Sequence, residues 1–207
     1  MTFLAGLSRS EKLGLLFSAL LLFLYFFRLN ADSIAGLFGI FISDETPFLL
    51  SAQNQILFGV PHFFEQDIWK PELLVPLLHQ YALFFIAPDD PTWTGRFGLA
   101  LQAVGGVALI AWLAGKYHGG SVKHAIACLL CLLVNPLLFF YARSGLTECI
   151  QFLLLACMLW VLYGLHLSRH FKEAAMLCGA AGLLTSLLLL AKISAISMCV
   201  GYGAGIL

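Results

Sequence analysis

The chain has 207 residues, of which 61% are hydrophobic and only 11% are charged, with eleven basic and eleven acidic side chains. So large an apolar fraction cannot be hidden inside one soluble core, and a formal net charge of zero without a basic cluster disfavours nucleic acid as a partner. The composition predicts an integral membrane protein, and the span-length apolar runs predict an all-α one.

The first apolar run, residues 13–29, follows Arg9 and Lys12. At roughly 17 residues it nearly spans a 30 Å hydrocarbon core. It is longer than the apolar core of a typical signal peptide, and no small-residue cleavage site follows it. We therefore expect a retained signal anchor whose N-terminus is cytoplasmic.

Four later runs also approach the length of a membrane span, and they are 97–114, 125–141, 150–167 and 174–191. Together with the first run they predict about five transmembrane helices. The short polar turns between the later runs favour antiparallel neighbours.

A weaker run, residues 73–87, is interrupted by polar side chains. Counting it as a crossing would place Lys116 and Lys123 outside, against the preference for basic residues in the cytoplasm. We therefore interpret it as an interfacial helix. Residues 30–95 then form one large external loop.

Acidic side chains are concentrated in that loop, where eight of the eleven fall between Asp32 and Asp90. Asp44 and Glu45 are adjacent and precede Thr46-Pro47, a pair typical of a helix start. Apolar residues then recur every four positions, which predicts an amphipathic interfacial helix. An acid pair just before a helix N-terminus at the membrane boundary is the first candidate for chemistry.

The cysteines predict neither disulfides nor a metal site. Five of the six lie inside apolar runs, so no disulfide framework can be built. Cys128 and Cys131 have CxxC spacing, but no second pair or suitably spaced histidine accompanies them. We interpret them as small packing residues.

Several short motifs occur in an order that resembles the N-terminal half of the GT-C superfamily of membrane glycosyltransferases. The motifs are Asp44-Glu45, Lys70-Pro71-Glu72-Leu73, Gly95-Arg96-Phe97, the segment from Ala142-Arg143 to Thr147-Glu148, and Gly182-Leu183-Leu184 running to Ala191-Lys192. The nearest group would be the protein O-mannosyltransferases and aminoarabinose transferases, although Pro71-Glu72 stands where that group usually has a doubled proline.

The resemblance implies a partial GT-C fold, with residues 1–207 forming one membrane domain at the N-terminal side of a longer enzyme. Such an enzyme transfers a sugar from a polyprenyl-phosphate carrier to a hydroxyl group of a lipid, glycan or protein. The bond would form on the extracytoplasmic face of a bacterial plasma membrane.

The resemblance also assigns roles to individual residues. Asp44 would be the base that deprotonates the acceptor, Glu45 would shape the site or bind a metal, and Glu148 would join them. The donor phosphate would be bound by basic side chains, namely Lys70, Arg96, Arg143 and Lys192. The alternatives are that the acid pair is a solvated helix end, that Arg143 and Glu148 only pair with each other, and that the basic residues only anchor the interface.

No cofactor is predicted with certainty. His62 and His79, with Glu45 or Glu65, could ligate a divalent metal, but their spacing matches no metal motif. We interpret both histidines as polar surface residues.

Two other functions remain open. A transporter or flippase would place ionisable groups or broken helices in mid-membrane, whereas here charges gather at one face and interruptions such as Asn135-Pro136 are few. A non-catalytic subunit that scaffolds a partner is the other alternative.

Overall fold

The computed structural model describes residues 6–27, 29, 54–59, 74–86, 91–143 and 148–191. Within these ranges the chain is helical and contains no strand, which confirms the all-α class. Seven helices have both ends within these ranges, namely α1 (Arg9–Phe26), α2 (Leu74–Phe84), α3 (Pro91–Tyr117), α4 (Val122–Leu133), α5 (Pro136–Arg143), α6 (Glu148–Leu167) and α7 (Phe171–Ala191), and residues 54–58 are also helical.

Three of the described helices, α3, α6 and α7, are long and apolar enough to cross a membrane. The pair α4 and α5 adds a fourth candidate if it forms one bent span. Helix α1 has 18 residues, and Arg9, Glu11 and Lys12 lie inside it, so it does not qualify by the same measure. The described residues thus contain three to four candidate spans where the sequence predicts about five. The chain is a helical membrane protein.

The predicted span 125–141 is two helices, because it breaks at Val134 and Asn135 with a bend of 65°. Pro136 cannot donate a backbone hydrogen bond, so it is tolerated at the first position of a new helix. The Asn135 side-chain oxygen caps that helix by accepting from the amides of Leu137 and Leu138 at 3.0 and 3.2 Å.

Helix α3 is the centre of the bundle, in contact with α1, α2, α4, α5 and α6. Helix α6 packs between α3 and α7, and α2 contacts both α3 and α7. Close approach of α3 and α6 is possible because Gly106 presents no side chain where the Phe152 ring lies. The main buried cluster includes Tyr25, Leu99, Val107 and Leu133.

Consecutive spanning helices run in opposite directions. Gly115 near the end of α3 faces Ala125 near the start of α4, and Gly164 near the end of α6 faces Leu177 near the start of α7. Helix α1 instead runs parallel to α4, since its Gly14 faces Ile126. One end of the bundle therefore collects the start of α1 and the turns α3–α4 and α6–α7.

We call this the basic end, because it carries exposed cationic side chains and few acids. They are Arg9, Lys12, Lys116, Lys123, Arg169 and Lys172. Helix α1 begins there with Ser8, whose hydroxyl accepts from the Glu11 amide while the Glu11 carboxylate accepts from the Ser8 amide. The α3–α4 turn passes through Gly119 and Gly120, whose φ values of 69° and 84° favour glycine.

The CxxC pair has no partner in a disulfide, since Cys128 and Cys131 are both free.

Candidate functional site

Three of the predicted site residues lie at the other end of the bundle. Arg96 is in the second turn of α3, Arg143 is the last residue of α5, and Glu148 is the first residue of α6. We call this region, with the C-terminal end of α1, the arginine end. Asp44, Glu45, Lys70 and Lys192 lie outside the described residues, as does most of the predicted loop 30–95, so their roles stay predictions.

Arg143 is buried, with 8% of its surface exposed, and reaches the C-terminal end of α1. Its guanidinium group donates to the carbonyl oxygens of Leu24 and Tyr25 and lies 5.3 Å from the centroid of the Phe139 ring. The last carbonyl groups of a helix have no partner within the helix and carry partial negative charge. A cation there is stabilised by the helix and in turn satisfies its carbonyl groups.

Arg96 reaches the same segment from the other side. It is 4% exposed, and its guanidinium group donates to the Leu29 carbonyl oxygen at 2.8 Å. Two arginines separated by 47 positions in sequence thus converge on residues 24–29. These main-chain contacts hold both guanidinium groups in place, and phosphate binding by either one stays a prediction.

Tyr25 joins α1 to the break between α4 and α5. Its side chain is fully buried, its hydroxyl donates to the Leu133 carbonyl oxygen at 3.3 Å, and its ring meets Phe139 edge-on with centroids 5.1 Å apart. Leu133 is the last residue of α4, where helix carbonyl groups lack partners. Arg143 therefore caps α1, and Tyr25 of α1 caps α4.

Glu148 lies half-buried at the first position of α6. A carboxylate is favoured there by the positive end of the helix dipole. Ala191 packs in the same buried cluster as Cys149 and Ile150, so the end of α7 also lies at the arginine end. This places the residue before Lys192 beside the start of α6.

A second group of polar side chains was not predicted as a site. Gln80 of α2, Gln102 of α3 and Gln151 of α6 each have a buried amide atom with no hydrogen-bond partner among the described residues, and the buried imidazole Nε2 of His79 has none there either. Gln80 and Gln151 are 1% and 4% exposed. We call these four residues the amide cluster. In the sequence, these residues could have been recognised as polar side chains inside apolar runs.

Helix α2, which carries two of these residues, lies against both α3 and α7. The His79 and Leu83 side chains pack onto Gly98 of α3, and Gln102 lies one turn farther along that helix. Gln151 lies two turns before Met158, which packs against Leu188 of α7, so Gln151 shares the face of α6 that is turned toward α7. His79 and Gln102 thus lie along the contact between α2 and α3, and Gln151 lies on the face of α6 that is turned toward α7.

The interpretation of His79 as a surface residue is wrong, because α2 turns this side chain toward α3. Burial lowers the pKa of His79 to about 4. The ring is therefore neutral at physiological pH. Among the described residues, no three histidine, cysteine or acidic side chains come together as metal ligands, while Glu45, His62 and Glu65 lie outside those residues.

No protein-family model, no curated protein and no solved structure matches this chain.

Proposed function

We propose that this chain is the N-terminal membrane domain of a GT-C glycosyltransferase of the protein O-mannosyltransferase and aminoarabinose transferase type. The observation that carries the proposal is the meeting of Arg96, Arg143 and Glu148 at one end of the bundle, opposite the basic end. Since basic residues favour the cytoplasmic side, the arginine end would face outward. The fold would have five spans, with α1 as the anchor.

The proposed reaction needs a base for the acceptor and cations for the departing phosphate. The acceptor oxygen attacks the anomeric carbon, the bond from that carbon to the phosphate oxygen breaks, and the hydroxyl proton passes to Asp44. Polyprenyl phosphate leaves as an anion, so no carboxylic acid has to protonate it. Glu45 and Glu148 would shape the acceptor side.

Arg96 and Arg143 suit the phosphate role because their positions are set before any donor arrives. Each is buried; Arg143 donates to carbonyl groups at the end of α1, and Arg96 donates to the Leu29 carbonyl just beyond it. Groups held in advance stabilise developing charge without reorganisation at the moment of reaction. Lys70, which precedes α2 in the sequence, and Lys192, which follows α7, would complete this phosphate-binding site.

The amide cluster supports a ligand rich in hydroxyl groups. Buried amides without partners are costly inside an apolar bundle, and sugar hydroxyls both donate and accept hydrogen bonds. Gln102 follows Arg96 by six residues, or about 9 Å along α3. A sugar ring bound at Gln102 would thus lie within reach of a phosphate bound at Arg96.

A transporter or flippase for a lipid or small solute is the second candidate, and the break in α4–α5 favours it. Discontinuous helices that expose backbone groups at membrane depth are typical of transporter binding sites. Here, however, the Leu133 carbonyl and the first amides of α5 are satisfied by Tyr25 and Asn135. Side chains thus occupy the backbone groups at the break, as expected of a structural bend rather than of a solute-binding site.

Sugar transfer by the full-length protein in proteoliposomes tests the proposal. We expect transfer from polyprenyl-phosphate mannose or polyprenyl-phosphate aminoarabinose, and we expect Asp44→Asn to lower turnover about 100-fold to 10,000-fold. Asp67→Asn, in the same acidic loop, is the matched control and should keep full activity. Unchanged turnover in Asp44→Asn at normal expression would reject Asp44 as the base. Movement of the lipid across the bilayer without any sugar transfer would favour the flippase.

Membrane orientation is tested separately by cysteine labelling. A thiol reagent that cannot cross the membrane should reach Asp44→Cys from outside and should not reach His118→Cys at the basic end. The reverse pattern would overturn the orientation.

A further inference from the structure

A groove of about 480 Å³ lies between α1, α3 and α4, in the half of the bundle next to the basic end. Its space exists because α3 and α4 present small residues there, namely Ala108, Ala111, Gly115 and Ala125. Leu15 and Leu22 of α1 close one side.

Polarity in the groove is confined to one end. Lys116 and Ser121 lie where α3 ends and α4 begins, and the remaining side chains of the lining are apolar except for the indole N–H of Trp112. Lys116 follows Val104, at the opposite end of the groove, by twelve residues, or about 18 Å of helix. The hydrocarbon thickness of one leaflet is about 15 Å. The groove thus has the length and polarity of a lipid, with one head group and an acyl chain.

Lys116 favours a head group of negative charge. Its side chain is exposed, its ammonium nitrogen lies 5.7 Å from the centroid of the Trp112 ring, and no described carboxylate forms an ion pair with it. The other cations of the basic end add to the positive potential around it. An anion at the mouth of the groove is therefore complementary in charge.

We propose that this groove binds one anionic phospholipid, with an acyl chain along Ala108 and Ala111 and the phosphate at Lys116. The site lies at the opposite end of the bundle from the arginine end and does not depend on the proposed transferase activity. A bilayer supplies this ligand at high concentration, and basic residues near a membrane surface gain about five-fold in affinity for anionic lipid per cation.

Trp112 lines the groove and reports its occupancy. The full chain, with Trp69, Trp93 and Trp160 replaced by phenylalanine, is reconstituted with phosphatidylglycerol or phosphatidylcholine carrying brominated acyl chains, which quench tryptophan fluorescence on contact. We expect brominated phosphatidylglycerol to occupy the groove about five-fold more strongly than brominated phosphatidylcholine.

Two pairs of variants separate the head group from the acyl chain. Lys116→Gln should abolish the preference for phosphatidylglycerol, and Lys172→Gln, an exposed lysine of the same end on α7, should retain it. Ala108→Phe should lower quenching by both lipids, and Ala175→Phe, exposed on α7, should not. Native mass spectrometry of the unaltered protein should show retained phosphatidylglycerol, lost in Lys116→Gln.

Several results would overturn the proposal. Equal quenching by the two lipids, or a preference that survives Lys116→Gln, would mean ordinary solvation by the bilayer. An equal loss in Lys172→Gln would assign the effect to general surface charge. Shielding of Trp112 from both lipids, with cross-linked dimers, would show that a second copy of the chain fills the groove.

Discussion

Replacing Tyr25 with phenylalanine tests how the bend between α4 and α5 is stabilised. The change removes one hydrogen bond, from the tyrosine hydroxyl to the Leu133 carbonyl at 3.3 Å, and keeps the ring that packs on Phe139. A net intramolecular hydrogen bond contributes about 1 kcal/mol, and leaving a buried carbonyl unsatisfied costs about 1–3 kcal/mol. Hydrogen bonds between membrane helices contribute about 0.6 kcal/mol on average. We expect Tyr25→Phe to cost about 1 kcal/mol.

The assay is reversible unfolding in mixed micelles of mild detergent and dodecyl sulfate, followed by far-ultraviolet circular dichroism. Tyr117→Phe is the matched control, because Tyr117 is 77% exposed. Tyr25→Ala should cost about 3–5 kcal/mol, since it also empties the space of the ring. If Tyr25→Phe unfolds like Tyr117→Phe while Tyr25→Ala is severely destabilised, the ring joins α1 to the break and the hydroxyl contributes no stability, contrary to the prediction.

Three further changes test other contacts. Gly98→Ala places a methyl group against Leu83 and His79 and should cost about 1–3 kcal/mol, seen as faster hydrogen exchange in α2 but not in α7. Asn135→Ala removes the cap of α5 and should cost about 1 kcal/mol in the same unfolding assay, where Asn135→Asp should preserve most of the stability. Burial lowers the pKa of His79 to about 4, so the neutral ring stabilises the packing of α2 fully above pH 6.5, and this stability should be lost as the pH falls towards 4. An NMR titration of the imidazole measures this pKa. A midpoint near 6.5 would contradict the burial of His79.

The helical runs were predictable because an apolar stretch of span length can satisfy its backbone hydrogen bonds in a bilayer in few ways other than as a helix. Residues 150–167 and 174–191 lie within α6 and α7 as the structure has them. The interruption at Asn135-Pro136 was visible in the sequence, but the 65° bend was not. How far two helix segments diverge depends on what packs around the break, here Tyr25 and Phe139.

The end of the bundle at which the two arginines and Glu148 lie was predictable, but their contacts were not. The runs and turns place Arg96, Arg143 and Glu148 at one end of the bundle, as expected. That Arg143 donates to Tyr25, 118 positions away, depends on which helices become neighbours. His79 was misread for the same reason, because its burial is decided by Gly98 on another helix.

The sequence by itself determined that this is a helical membrane protein and which residues form its apolar runs. Those properties follow from local composition and from the cost of leaving backbone groups unsatisfied in lipid. Only the tertiary structure decided that Arg143 caps α1, that Arg96 binds the chain just after it, that Tyr25 binds the last carbonyl of α4, and that small residues on α3 and α4 leave a groove. These depend on contacts between distant segments, which hydrophobicity alone does not specify.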